Sequence, residues 1–292
     1  MIKHPLIYKI RKAVAVALTQ TFLLIVALAC LFPLAWMLSS ALKTRQTVTL
    51  DMGLIPKNPQ WGNFYTAWTK ANFGTYFFNS IFYTAVVVIS IVLISSLAAY
   101  AFARLNFPGR NILFFIFLAT MMIPIPGAFI ALYVLIIKLG TVPIIGKYIT
   151  INTRLGYMLP QINAGLAMGI FLIKTFFDKL PKDLEDSARI DGCSKLGIYR
   201  HIALPLAKPA IAVVVIFNCL AVWNEFLLAN LLLSDKELMP LQRGLMTFWG
   251  EHLAEYHLLM AGIAITVVPI ILMYLIMQKY IISGITAGAL KG

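Results

Sequence analysis

Charge is scarce in this sequence. Only 12% of its 292 residues are Asp, Glu, Lys or Arg, about half the share found in an ordinary globular domain. Acidic residues are the rarer kind, 11 against 24 Lys and Arg. So small a charged complement excludes an intrinsically disordered chain, a coiled coil and nearly every soluble enzyme. Cysteine is scarce too. Cys30 and Cys219 lie in apolar runs and Cys193 in a charged loop, an odd, scattered set that implies neither a disulfide framework nor a metal cluster. What fills the chain is apolar: 61% hydrophobic residues and a mean hydropathy of +0.87. No core of this length hides that much apolar surface from water, so the natural solvent is lipid.

A bilayer core about 30 Å thick needs roughly 20 apolar residues of helix. Stretches free of Asp, Glu, Lys and Arg run from Ala13 to Leu42, Ala71 to Ala103, Asn111 to Ile137, Leu155 to Ile173 and Leu258 to Gln278; a sixth, Pro209 to Ser234, is interrupted once, by Glu225. The expected architecture is an all-α polytopic membrane protein, one transmembrane domain over residues 1–292. Its spans are expected near 14–40, 78–103, 111–137, 155–175, 207–233 and 258–280. The first is too long and too continuously apolar past Cys30 to be a cleaved secretion signal, and reads as a retained helix.

Six spans place both termini on one side. If that side is the cytoplasm, inside segments hold fifteen Lys and Arg and outside loops hold nine. The bias favours cytoplasmic termini. It also accounts for the basic balance without nucleic acid, since no cation cluster is interleaved with exposed aromatics in a nucleic-acid pattern.

Helix breakers mark particular places. Met121-Met122-Ile123-Pro124-Ile125-Pro126-Gly127 falls inside the third run, and such a break survives in lipid only where protein or a watery cavity satisfies the freed backbone groups. Gly165 and Gly169 are a small-xxx-small pair suited to close helix packing. Between the fourth and fifth runs lies the most charged stretch, about 176–206, with Asp178, Asp183, Glu185, Asp186 and Asp191. Pro181 is placed to open a helix there, and Leu184, Ala188 and Ile190 offer a small apolar face. Gly192 can end that helix, and Ser194 can cap a second one running toward Leu204-Pro205. A mere connector needs far fewer residues.

Asp186-Ser187-Ala188, three residues, Gly192, nine residues, Ile202, one residue, Leu204-Pro205 resembles the cytoplasmic loop of bacterial ABC importer permeases. That loop usually reads Glu-Ala-Ala, three, Gly, nine, Ile, one, Leu-Pro. Ala188-Arg189-Ile190-Asp191-Gly192, Leu204 to Ala210, Trp223-Asn224-Glu225-Phe226 and the ending Gly284 to Gly292 are similar to the carbohydrate-importer branch, most of all to its smaller maltose-type permease subunit. The likeness covers the chain from about Asn79 onward. Two departures stand out: Asp186 is one methylene shorter than the usual Glu, and Ser187 adds a hydroxyl where Ala is usual.

The resemblance implies a permease subunit of an ATP-driven, binding-protein-dependent importer, for a sugar or oligosaccharide, in the bacterial inner membrane. Asp186, Ser187, Ala188, Arg189, Asp191, Gly192, Ile202, Leu204 and Pro205 would form a helix-turn-helix coupling loop that docks on a separate ATPase. A rigid helix with small side chains suits such a role because it can enter a cleft and move as a body. The resemblance further implies a second permease subunit, two ATPase subunits carrying ATP and Mg, an extracytoplasmic solute-binding protein, and no cofactor on this chain. The tail after Tyr280 is expected on the cytoplasmic side.

On the fifth run, Glu225 is the only acidic residue within any span, and an ionisable group there costs several kcal/mol unless it meets a polar cavity or a partner. Asn218 lies seven residues earlier, two turns away on the same face of a continuous helix, and Asn224 is adjacent. These three are the expected substrate-pathway residues; the alternative is that Glu225 lies near the outer interface or pairs structurally with a neighbouring helix.

Other signals are set aside. Gly140 to Lys147 misses the phosphate-loop spacing and ends at Tyr148. His252, Glu255 and His257 do not share one helical face. Trp61, Tyr65 and Trp68 fit a membrane interface or an outer mouth. No nucleophile elbow is present, so a membrane enzyme is disfavoured. The other alternative, an ion-gradient-driven secondary transporter of a small polar solute, predicts inverted repeats and paired intramembrane charges; no convincing repeat is visible and Glu225 stands alone.

Overall fold

The computed structural model describes residues 5–70, 72–122, 125–249 and 255–289, and every regular element among them is helical. The early helices are α1 (Pro5–Ala41), α2 (Thr47–Leu50), α3 (Gly62–Lys70), α4 (Phe73–Arg104), α5 (Arg110–Thr120) and α6 (Ile125–Gly140). There follow α7 (Arg154–Asp178), α8 (Asp183–Ile190), α9 (Lys195–Ile198), a π-helical turn (Tyr199–Ala203), α10 (Leu204–Leu206) and α11 (Lys208–Trp223). The chain closes with α12 (Leu227–Leu232), α13 (Leu241–Gly244) and α14 (Tyr256–Ala289). Of the residues named from the sequence, Ala71, Ile123, Pro124, His252, Leu290, Lys291 and Gly292 lie outside the described set.

Among the described residues, four helices are long and apolar enough to cross a bilayer: Arg11–Ala41, Phe73–Arg104, Arg154–Asp178 and Tyr256–Gln278. Lys195–Leu206 and Lys208–Trp223 amount to a fifth only if taken together, and they meet at 73°. Two of the expected spans are therefore not single helices. The run over 111–137 is divided between α5 and α6, with Met121 and Met122 in a turn after Thr120. Pro126 falls in the first turn of α6, where a missing N–H costs nothing. The run over 207–233 is interrupted after Trp223.

The described residues divide into two compact units. One comprises those before Asn72 with Thr247–Val267. There α1 is exposed from Arg11 to Ala35 and becomes buried only at Ser39, Ser40 and Ala41. The segment after it is organised around Lys43, which is 2% exposed and donates through Nζ to the carbonyls of Asp51 (2.6 Å) and Gly53 (2.7 Å). Asn63 donates to the carbonyls of Ala41 and Lys43, so α3 is fixed to the end of α1. Glu255 forms an ion pair with Lys70 at 2.8 Å.

The other unit comprises Asn72–Met246 and the residues from Val268 onward. Its centre is the pairing of α4 with α7. Each helix presents a buried ridge with four-residue spacing: Tyr83, Val87, Ile91, Ser95 and Ala99 on α4, and Tyr157, Gln161, Gly165, Gly169, Ile173 and Phe177 on α7. Rows of this spacing are the natural ridges of a helix surface. The Tyr83 and Tyr157 rings meet with centroids 4.9 Å apart, Gly165 lies against Ile91, and Gly169 against Ser95. Partners thus advance together along both helices, so α4 and α7 run parallel. On its other side Gly165 meets Asn218 and Gly169 meets Val214. That order is reversed, so α11 runs antiparallel to them. The two glycines let three helices approach at one place, as small residues do inside membranes.

Candidate functional site

The charged segment after α7 folds as two short helices around a tight turn. Asp183, Glu185 and Asp186 occupy the first turn of α8 and Arg189 its last, the placement that suits the helix dipole. At its end the Cys193 amide donates to the Ala188 carbonyl (2.9 Å) and the Gly192 amide to the Arg189 carbonyl (3.0 Å). Gly192 itself has φ +81°. This is a Schellman ending, with glycine at the left-handed position where a side chain is strained. Ser194 then caps α9, its hydroxyl accepting from the Gly197 amide at 3.1 Å. Beyond the π-helical turn, the chain bends at Ala207 into α11, with Pro205 and Pro209 near the start of the two adjoining helices.

The apolar face expected of α8 is smaller than its sequence suggests. Ala188 is buried, but Leu184 is 45% and Ile190 88% exposed. The inward side belongs instead to Glu185 and Ala188, which lie one turn apart on one face. The Glu185 carboxylate pairs with the Arg104 guanidinium at 2.7 Å, and these side chains are 7% and 6% exposed. Arg104 also donates to the Leu180 carbonyl at 2.8 Å. Neither Arg104 nor Glu185 stands out in the sequence as a site residue. The available signal was a lone cation at the end of a long apolar helix.

Outward from this anchor stand Asp186, Ser187, Arg189, Asp191 and Gly192, all exposed. Arg189 bridges to Asp186 at 3.3 Å across the surface. Ile202 and Leu204 are partly buried against the core and Pro205 is exposed. The nine loop residues thus separate into an exposed crest, the buried Ala188, and three residues in the π-helical turn and α10 that lead toward α11.

The three residues expected on the substrate pathway do not share one surface. Asn218 is 6% exposed and donates to the Val214 carbonyl at 2.8 Å within α11. The helix stops at Trp223, so the two-turn relation to Glu225 does not hold. Glu225 caps the next helix instead: its carboxylate accepts from the Leu228 amide (2.6 Å) and the Ala229 amide (3.0 Å). The Tyr157 hydroxyl donates to it as well, at 3.2 Å. Only Asn224 is exposed, and Gln242 donates to its side-chain oxygen at 3.3 Å. Among the described residues, no group of three or more His, Cys, Asp or Glu is placed to hold a metal ion.

The first turns of α4 secure the segment that follows α12. Asn79 donates to the carbonyls of Glu237 and Met239, the Tyr83 hydroxyl donates to that of Leu238, and Ser80 accepts from the Leu241 amide. Asn152, left-handed at φ +56°, accepts from the Ser234 and Asp235 amides. The broken end of the fifth run is therefore fixed in place by side chains from α4 and by Asn152, two residues before α7.

Known proteins share this sequence and fold. The family described as binding-protein-dependent transport system inner membrane component matches residues 91–287. The diacetylchitobiose uptake system permease protein NgcG of Streptomyces coelicolor is 30% identical over 277 residues, 94% of this chain and 89% of that one. The trehalose/maltose transport system permease protein MalG of Thermococcus litoralis is 33% identical, over 92% and 94% of the two chains. The arabinooligosaccharides transport system permease protein AraQ of Halalkalibacterium halodurans is 37% identical over 79% of each. A chain of a bacterial ABC transporter involved in the import of the acidic polysaccharide alginate superposes with a TM-score of 0.78 at 25% identity, covering 92% of this chain and 97% of that one. This chain therefore belongs to the inner membrane components of binding-protein-dependent transport systems, as the non-catalytic permease subunit of an ABC importer.

Proposed function

We propose that the chain is the permease of an oligosaccharide importer in a bacterial inner membrane, crossing it six times with both termini in the cytoplasm. The parallel run of α4 and α7 supports this count. Two parallel spans need a return crossing between them, and α5 with α6 supplies one, broken near Pro126. The antiparallel α11 then provides the fifth crossing, and α1 and α14 the first and last.

In this reading 176–206 is the cytoplasmic coupling loop. The observation that carries it is the exposed crest of Asp186, Ser187, Arg189, Asp191 and Gly192 on a buried ionic root. A surface meant to push needs such a foundation. The crest docks on an ATPase subunit that holds ATP and Mg; this chain needs no cofactor of its own. A second permease subunit, two ATPases and an extracytoplasmic solute-binding protein complete the transporter. The named substrates of similar permeases are diacetylchitobiose, arabinooligosaccharides and trehalose or maltose, which favours a short, hydroxyl-rich sugar here.

The test is co-purification of the ATPase subunits with Asp186→Lys, Gly192→Val and the pair together. At least tenfold loss of ATPase in the double variant is expected, and undiminished assembly would reject the docking role. Uptake of chito-, arabino- and malto-oligosaccharides by vesicles holding the whole transporter tests the substrate class, which fails if none is taken up in an ATP-dependent way.

A further inference from the structure

The coupling loop continues directly into α11, but chain continuity is a poor mechanical route. The connection passes through a π-helical turn, a three-residue helix and a 73° bend. A displacement of α8 would be lost in those joints. The loop has a firmer attachment elsewhere.

Ser96, Tyr100 and Arg104 follow one another at four-residue spacing on the last turns of α4, forming one stripe. Each holds a different part of the loop. Arg104 pairs with Glu185 of α8 and donates to the Leu180 carbonyl, so it grips both sides of Pro181. The Tyr100 ring lies between Phe177 and Tyr199, at centroid distances of 5.8 and 5.4 Å. The Ser96 and Tyr199 hydroxyls share a buried hydrogen bond of 2.8 Å. Both limbs of the hairpin are therefore fastened to the same helix. These contacts are buried, and sliding one limb along α4 would leave a buried charge or hydroxyl unpaired.

The far end of α4 is fastened as well, through Asn79, Ser80 and Tyr83 to the segment 237–241. One continuous helix thus joins the loop at one end to the segment following the broken fifth span at the other.

We infer that the loop delivers its motion to α4 before α11, with Ser96, Tyr100 and Arg104 as the positioning residues of a clamp that moves as one body. The inference rests on the coupling-loop reading above and is tested separately from it. The complete transporter in proteoliposomes is assayed for bound ATPase, and for ATP turnover with and without its solute-binding protein. Arg104→Glu and Glu185→Arg should each retain the ATPase yet lose at least fivefold of the stimulation by the binding protein. Combining the two should bring stimulation back to within twofold of the parent.

A second probe leaves both charges untouched. In a background with Cys30, Cys193 and Cys219 changed to Ser, Ser96→Cys and Tyr199→Cys are bridged by a short bifunctional thiol reagent. Measured against the same Cys variant left unbridged, the bridged transporter should keep at least half its stimulated turnover, because α4 and the second limb need not separate. A tenfold fall on bridging would overturn the clamp. So would unchanged stimulation in the single charge reversals, or loss of ATPase from them, which would make the pair part of the docking surface. The Asp186 and Gly192 variants report on docking alone, so failure of the clamp and failure of the docking role give different results.

Discussion

The Tyr157 hydroxyl donates to the Glu225 carboxylate across 3.2 Å, joining α7 to the turn that opens α12. The same carboxylate accepts the Leu228 and Ala229 amides, so three donors converge on one side chain. Glu225→Ala leaves them unmet in a partly buried place, at a cost of roughly 1–3 kcal/mol. Glu225→Gln keeps an acceptor and should lose less than half as much. Thermal unfolding of the detergent-solubilised chain checks this, and equal midpoints for the parent and Glu225→Ala would remove the capping role.

Much of this architecture is legible in the sequence, because charge-free runs report burial in lipid directly. The hairpin near Gly192 is legible for a similar reason: a left-handed C′ position wants glycine and an N-cap wants serine, and both requirements are local. The break after Trp223 is different. Trp223-Asn224-Glu225-Phe226 contains neither proline nor glycine, and the new helix starts because a side chain folds back onto amides three and four residues ahead. Arg104 and Glu185 are 81 positions apart, and no periodicity within either helix announces a partner on the other. Ile190 shows the opposite failure, an apolar residue that periodicity assigns to a core and the fold leaves 88% exposed.

Gly192 offers a prediction with the steric part removed. A Cβ there would meet nothing within 4 Å, while φ is +81°. The penalty of Gly192→Ala is then backbone strain alone, about 1–2 kcal/mol, and Gly192→Asn should recover part of it because Asn tolerates this region. Apparent affinity for the ATPase should follow the same order, Gly above Asn above Ala. An Ala variant that docks as tightly as the parent would show that the turn relaxes without consequence.

Gly169 makes the contrasting case. A Cβ would lie 2.8 Å from the Ser95 hydroxyl oxygen and 2.9 Å from its Cβ, so α4 and α7 must separate. Gly169→Ala should cost roughly 1–3 kcal/mol through overpacking. Adding Ser95→Gly should relieve more than half of that loss, since the two positions touch and are expected to be non-additive. Additive losses in unfolding measurements would place the helix contact elsewhere.

Removing one member of the Arg104–Glu185 pair strands a buried charge. Glu185→Ala should therefore destabilise the chain by about 3–5 kcal/mol. Replacing both, with Arg104→Met and Glu185→Leu, should return stability to within about 1–2 kcal/mol of the parent, because buried ion pairs seldom outperform packed apolar groups. Thermal unfolding of the three variants separates a stranded charge from lost packing, which would make the double variant the worst.

Asn224 is the exposed member of the three residues expected along the substrate pathway, and it sits where α11 has just ended. Irregular backbone at membrane depth is tolerated where it lines a watery cavity, and an amide there can exchange partners with a sugar hydroxyl. Its contact with Gln242, at 3.3 Å, is long enough to give way to such a hydroxyl. Asn224→Ala removes no buried group, so stability should change by less than about 0.5 kcal/mol. Sugar uptake should nevertheless weaken, by about tenfold in half-saturating concentration if one hydroxyl contact worth ~1.4 kcal/mol is lost. Gln242→Ala should act in the same direction and, combined with Asn224→Ala, add little, because the two amides meet. If both variants take up every tested oligosaccharide with parental kinetics, the sugar does not depend on this amide pair.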